Sequence, residues 1–265
     1  MNGDAVRAIA RRDLTAVARD KGVLAPMLIV PLVFVVVFPA LAFGISQVSV
    51  DLGDFARILE LVPRPVLDAL PADPSVRLAL VFASYVVPPL MLVVPLVVAQ
   101  VIATDAVAGE RERGTIEGLL LAPVTDTEVL LGKLLGAWVP ALVVGLASSL
   151  AYGAALDVLF WSTLHHLLLP TGSWLLMVLW FGPAFSAAAL GLTVLVSAQA
   201  RSVQAASQVA GVAVLPVILV TVGQLTGLLL LTGWVVLLAG LALWCLAGWL
   251  TVLGARALRR ENQVA

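Results

Sequence analysis

Few residues in this sequence have the type and spacing that catalysis requires. Gly132 and Lys133 could end a phosphate-binding loop, but Leu134 follows where Ser or Thr is needed, and the earlier glycine of that motif is missing. His165 and His166 are adjacent, so their side chains point apart and do not suit a shared metal ion. A zinc-protease motif and a nucleophile elbow are also missing from the sequence. The sequence therefore predicts no catalytic residue and no metal site.

The charged stretch 109–124 is the part of the sequence most suited to contact a soluble partner. It is too charged to enter a bilayer, and its pattern is too ordered for a random connector. Directly after it, Thr125 and Glu128 have the spacing of a capping box, which predicts a helix that begins at Asp126. The segment 105–129 is therefore a candidate docking element joined rigidly to the next helix. The alternative is a merely solvated run of charges.

The composition determines the environment in which these residues are placed. Of the 265 residues, 62% are hydrophobic and 12% are charged, against about a quarter charged in soluble domains. Long uncharged runs separate the charged segments, at 23–50, 78–104, 134–156, 158–200 and 202–255. Each can supply the roughly 20 apolar residues of a spanning helix, and the last two are long enough for two. The sequence predicts an all-α polytopic membrane protein with six transmembrane helices.

The predicted order of segments forms a single transmembrane domain over residues 1–265. Residues 1–22 are predicted to be an interfacial amphipathic helix, with the alternative of an ordinary solvated helix end. The predicted spans are 23–50, 78–103, 130–156, 173–197, 203–225 and 233–254, with kinks at prolines of the first span. An acidic external loop is predicted at 47–77.

The apolar side of the N-terminal helix is predicted to hold Val6, Ile9, Ala10, Leu14 and Val17, opposite Arg7, Arg11, Arg12, Thr15 and Arg19.

The distribution of lysine and arginine predicts the orientation of the chain in the membrane. With six spans and the N-terminus inside, the only basic residues in external segments are Arg57, Arg64 and Arg77. Positive segments are retained on the cytoplasmic side, so both termini are predicted to be cytoplasmic in a plasma-membrane protein. Trp161, Trp174 and Trp234 then fall near the outer interface, as tryptophans of membrane proteins commonly do.

A few polar residues inside the predicted spans are candidates either for lining a path or for helix packing. They are Gln100, Ser149, Tyr152 and Gln224. Gly145, Ser149 and Gly153 recur at every fourth position and continue the face of Gly132 and Gly136, which favours close packing of helices. An apolar path would suit a hydrophobic or amphipathic substrate. Nothing in the sequence indicates nucleic-acid binding.

The stretch Glu-Arg-Glu-Arg-Gly-Thr-Ile-Glu-Gly-Leu-Leu-Leu-Ala-Pro-Val at 110–124, with Leu131-Gly132-Lys133, resembles the cytoplasmic signature of ABC type-2 exporter permeases. Residues 11–21 and the prolines of the first span resemble that family's N-terminal helix and first span. The resemblance implies a permease that pairs with a second permease subunit, identical or paralogous. It also implies a coupling helix seated on a cytoplasmic ATPase that binds ATP and Mg²⁺, while this chain binds no cofactor. The implied contact residues are Glu110, Arg111, Glu112, Arg113, Gly114, Thr115 and Glu117.

The composition is also compatible with two other functional classes. An ATP-independent carrier or channel would be expected to bury ionisable residues at the bilayer midplane, and the predicted spans place none there. A membrane scaffold would need only the charged segment 105–129 to bind a soluble partner.

Overall fold

The computed structural model describes residues 3–19, 21–48, 67, 70–109, 125–197, 203–225 and 233–257. Regular secondary structure within these ranges is helical throughout. This confirms the all-α prediction, and its physical reason is that a bilayer core offers backbone groups no partner outside their own helix.

Within the described ranges, five helical stretches are long and apolar enough to cross a membrane. We name them in chain order as the first span (Leu24–Gln47), the second (Pro74–Thr104), the third (Glu128–Leu164), the fourth (Gly172–Ser197) and the C-terminal span (Gly233–Gly254). They are preceded by the N-terminal helix, Gly3–Val17. Helices of this length and composition support a multi-pass membrane protein.

The stretch predicted as the remaining span is helical but interrupted. It consists of Val203–Ala210, a 3₁₀ turn at Gly211–Val214 and Leu215–Leu225. Pro216 stands just after the turn, and a proline cannot donate to the carbonyl four residues before it. The described residues therefore hold five long apolar helices and this interrupted helix, where the sequence predicted six spans.

Three spans contain a π turn, and in each a proline follows two residues after the turn ends. The turns are Val33–Val37, Phe82–Val86 and Met177–Phe181, and the prolines are Pro39, Pro88 and Pro183. The residue before each proline donates its N–H to the carbonyl five residues back, from Phe38 to Val33, from Val87 to Phe82 and from Gly182 to Met177. A proline ring clashes with the carbonyl four residues before it, and a wider turn relieves that clash.

The second span lies at the centre of the molecule. Its most apolar window is 72% buried, against 17% for the first span and 22% for the C-terminal span. It packs against the first, third and fourth spans. Because the second span is central, a displacement of either end would alter its contacts with the first, third and fourth spans.

Several predicted boundaries differ from the observed ones. The second span begins at Pro74 rather than 78, because the Asp73 Oδ1 atom accepts from the N–H groups of Ser75 and Val76 at 2.9 and 3.0 Å. The predicted loop 47–77 therefore ends at Asp73. The third span continues to Leu164 rather than 156 and stops where His165 adopts a left-handed conformation, with φ of 54°.

Asp157 lies inside the extended third span and has a structural role. Its Oδ1 atom accepts from the N–H groups of Leu168 and Leu169, at 2.7 and 3.2 Å. The carboxylate thereby holds the turn that leads back into the fourth span.

Tyr152 links the third span to the π turn of the second span. The Val87 N–H is directed to the Phe82 carbonyl, which leaves the Ala83 carbonyl without its usual helical donor. The Tyr152 hydroxyl donates to that Ala83 oxygen at 2.7 Å, and the ring is fully buried. The tyrosine therefore completes the backbone hydrogen bonding of a neighbouring helix.

We predict that Tyr152→Phe lowers the free energy of unfolding by about 1–3 kcal/mol, because a buried carbonyl would lose its donor. Steric-trapping or thermal unfolding of the purified protein measures this loss. Tyr85→Phe, in the partly buried turn of the second span, is the matched control and should change stability little. Equal losses in the two variants would contradict the assigned role of Tyr152.

Candidate functional site

The N-terminal helix has one buried and one exposed face. Its buried residues are Ile9, Asp13 and Val17, and Arg7, Arg11, Arg12 and Arg19 are exposed. An aspartate therefore lies in the middle of the apolar face. Because an unpaired carboxylate is expensive to bury, Asp13 calls for a partner on the helix that covers it.

Two glycines allow the N-terminal helix to lie against the third span. A Cβ atom on Gly132 would come within 2.8 Å of the Ile9 Cβ, and one on Gly136 within 3.2 Å of the Ala10 Cα. Side chains at these two positions would push the helices apart. The geometry agrees with the predicted packing role of this glycine face.

The close approach brings Lys133 to Asp13. The Lys133 Nζ atom lies 3.7 Å from the Asp13 Oδ2 atom and donates to the Ala106 carbonyl. Both residues are only 6% exposed. Ala106 belongs to a further π turn, Asp105–Gly109, that continues directly from the second span. We call Asp13, Lys133 and the Ala106 carbonyl the clamp, because together they join three elements.

Arg12 provides a second cation for the clamp. Its Nε atom donates to the Asp13 Oδ1 atom at 3.3 Å, and its own side chain is 54% exposed. The solvated Arg12 contact contributes little by itself, whereas the buried pair with Lys133 cannot be broken without leaving an uncompensated charge. The clamp therefore holds the N-terminal helix, the second span and the third span in one arrangement.

The predicted capping box is present at the start of the third span. The Thr125 Oγ1 atom accepts from the Glu128 N–H at 3.3 Å, and the Glu128 carboxylate accepts from the Thr125 N–H at 3.0 Å. The helix begins at Asp126, as the sequence predicts. Residues 110–124 are therefore bounded on one side by the clamped turn 105–109 and on the other by this cap.

The predicted contact residues themselves lie in the stretch outside the described residues. They are Glu110, Arg111, Glu112, Arg113, Gly114, Thr115 and Glu117. The structure instead describes the two flanks of this segment, which are the turn 105–109 and the helix start at Thr125. Lys133, on the helix that begins there, binds the turn through the Ala106 carbonyl.

The other predicted site residues fall on different elements. Gln100 is buried on the second span, Ser149 and Tyr152 are buried on the third, and Gln224 belongs to helix Leu215–Leu225 with its side chain outside the described residues. Ser149 lines a cleft between the second, third and fourth spans.

Several hydroxyls near these residues donate to carbonyls of their own helix, as Ser148 does to Val144 and Thr193 to Ala189. Such bonds favour packing over path lining for the serines and threonines.

The two histidines lie at the end of the third span. His165 is exposed, and the Nδ1 atom of His166 lies 2.7 Å from the Leu164 carbonyl oxygen. Within the described ranges, no group of three metal-binding side chains occurs.

Sequence reasoning missed the Asp13–Lys133 pair, although a signal for it was present. Asp13 stands four residues from both Ile9 and Val17, so a helical wheel places it on the apolar face. Lys133 is next to Gly132 on the predicted packing face. An acid and a base at such positions indicate a buried pair between the two helices.

The sequence model of a family described as ABC-2 family transporter protein matches residues 7–243. The match includes most of the N-terminal helix, the clamp and the first four spans. No curated protein matches the chain.

We predict that Lys133→Met alone destabilises the protein by about 3–5 kcal/mol, because the buried Asp13 would lose its buried cation and keep only the exposed Arg12 as a partner. Asp13→Leu combined with Lys133→Met should recover most of that loss, since both charges are then removed. Lys21→Met, at an exposed lysine, is the control. Equilibrium unfolding of the wild type, of each single variant Asp13→Leu and Lys133→Met, and of the double variant gives the coupling energy. Simple additivity of the two single changes would contradict the clamp.

Proposed function

Because the chain belongs to the ABC-2 family of transporter proteins, we propose that it is the membrane-spanning permease subunit of an ABC exporter, powered by a separate cytoplasmic ATPase. Members of this family are the membrane components of ABC transporters and are not themselves the catalysts. The direction of transport and the ATPase partner are part of the proposal.

The observation that carries the proposal is the clamp. It joins the N-terminal helix to the end of the second span and the start of the third, which are the two flanks of segment 110–124. A soluble partner that moves this segment would therefore move the N-terminal helix, the second span and the third span together. A loosely attached segment would absorb the same movement without passing it on.

In the proposed cycle, the chain contributes no step of ATP hydrolysis. The partner ATPase binds ATP and Mg²⁺, and Glu110, Glu112 and Glu117, with the arginines between them, form the surface that docks on it. Closure of two ATPase subunits displaces the docking segments of two permease subunits. The second span, at the centre of each permease, then changes its position relative to the first and fourth spans.

The position of the buried pair bears on the competing carrier function. A carrier binds or relays its ion through ionisable groups near the bilayer midplane. Asp13 and Lys133 are buried, but they lie at one end of the third span and join a helix that precedes the first span. This placement favours a mechanical joint over an ion path.

We predict that Glu112→Arg combined with Glu117→Arg abolishes copurification of the ATPase or uncouples its turnover from substrate, because two docking charges change sign. The matched control reverses two acids of the predicted external loop, Glu60→Arg with Asp68→Arg, and should leave the complex intact. ATPase activity of the copurified complex is the measurement. If both double variants behave as the wild type, the segment is only solvated and the proposal fails.

We also propose that the interrupted helix 203–225 crosses the bilayer as a sixth span, with both termini cytoplasmic at the plasma membrane. A single cysteine at Thr226→Cys, in a Cys245→Ser background, should then react with an impermeant maleimide on intact cells. With five crossings, the same cysteine would react only after the cells are permeabilised.

A further inference from the structure

The exposed side of the N-terminal helix carries arginines without counter-ions. Arg7 and Arg11 are exposed, and neither guanidinium forms an ion pair or a hydrogen bond within the described part of the chain. Asp4 lies one turn before Arg7 and does not pair with it. Asp13 is on the opposite, buried face, where it pairs with Lys133. The two arginines are therefore open to an anion from outside the chain.

The spacing of these arginines makes them neighbours on one side of the helix. Cβ atoms four residues apart in a helix are about 5–6 Å from each other, and two like charges at this spacing destabilise the helix. The next positions along the same line, Gly3 and Thr15, are uncharged. A single phosphate between Arg7 and Arg11 would remove their repulsion and accept hydrogen bonds from both guanidinium groups. We call these two residues the arginine pair.

An apolar flank borders the arginine pair. Val6, Ala10 and Leu14 recur at every fourth position, and each is partly buried. Seven residues separate Arg7 from Leu14, which places the two side chains about 20° apart around the helix axis. The helix therefore presents a packed face, an apolar flank and a pair of cations, in this order around its axis. The same order, from hydrocarbon to phosphate, is found at the surface of a bilayer leaflet.

The fold holds this helix beside the ends of the spans. Val17 belongs to one apolar cluster with Met27 of the first span and Ile102 of the second, and Gly132 allows the third span to approach closely. The apolar stretch of the first span begins at Leu24, seven residues after the helix ends. The arginine pair is thus held close to the point where the chain enters the bilayer.

We propose that the arginine pair binds the phosphate of an acidic phospholipid, while the apolar flank lies among the acyl chains of the same leaflet. An acidic headgroup fits better than a choline or ethanolamine headgroup, because each of those places its own cation beside the phosphate. An acidic surface of a soluble ATPase fits less well, because the apolar flank beside the arginines would stay in contact with water. Such a lipid site requires only a leaflet surface and does not depend on the proposed transport function.

A lipid bound at the arginine pair would stabilise the helix that carries the clamp. Arg12 and Asp13 follow Arg11 directly in the chain, and Asp13 joins the helix to Lys133 of the third span. A ligand that binds only the folded arrangement stabilises it by mass action. We therefore expect acidic phospholipid to raise the midpoint of thermal unfolding, and zwitterionic phospholipid to have less effect.

The experiment titrates the purified full-length chain with phosphatidylglycerol and counts bound lipid by native mass spectrometry. Parallel titrations use phosphatidylcholine and inorganic phosphate. We expect Arg7→Gln combined with Arg11→Gln to weaken the tightest phosphatidylglycerol binding about tenfold to thirtyfold, because each cation near an acidic lipid surface strengthens the attraction about fivefold. The same double variant should lose the thermal stabilisation by phosphatidylglycerol and keep the wild-type unfolding midpoint in phosphatidylcholine.

Two further double variants are the controls. Arg57→Gln with Arg64→Gln changes the net charge equally, at arginines of the predicted external loop, and should leave phosphatidylglycerol binding unchanged. Arg7→Lys with Arg11→Lys keeps both charges but removes the planar guanidinium fork, so its loss of affinity should be intermediate.

Three results would overturn the proposal. The first is equal binding of phosphatidylglycerol and phosphatidylcholine, with no response to Arg7→Gln and Arg11→Gln. The second is binding of inorganic phosphate that responds to these changes while phosphatidylglycerol binding does not, which would indicate a site for a free anion. The third is loss of ATPase copurification with unchanged lipid binding, which would assign the arginine pair to the ATPase. The charge reversals at Glu112 and Glu117 test ATPase docking separately, so either proposal can fail alone.

Discussion

Backbone hydrogen bonding inside a bilayer is the constraint on which this structure depends. A proline in the interior of a span removes one donor and displaces one carbonyl, and lipid supplies no replacement. The chain meets this demand with a π turn before Pro39, Pro88 and Pro183, and with the Tyr152 hydroxyl at the Ala83 carbonyl. Tyr152 is therefore best understood from the hydrogen bonding of the second span rather than from a transport path.

Charged side chains that are buried between packed helices impose a second constraint. Asp13 and Lys133 are both buried, and each makes the burial of the other tolerable. Replacing such a pair by apolar residues often costs little stability, so stability alone does not account for it. What the pair adds is a fixed geometry, since the Lys133 ammonium also donates to Ala106 at the end of the second span. Fixed geometry is what the proposed docking role of segment 110–124 requires.

The same proline-rich spans produce the cleft. Prolines and glycines that meet between the second, third and fourth spans leave space that larger side chains would fill. The clamp lies at one end of the third span, and the cleft lies further along it beside the same second span.

Composition and local spacing were enough to predict the membrane class, the helical fold and the start of the third span at Asp126. These features depend on solvent preference and on contacts within a few residues, such as Thr125 with Glu128. The pairing of Asp13 with Lys133 and the bond from Tyr152 to Ala83 were decided by the tertiary structure. They join positions far apart in the chain, and only the packing of helices, set by glycines and prolines at their contacts, brings such positions together.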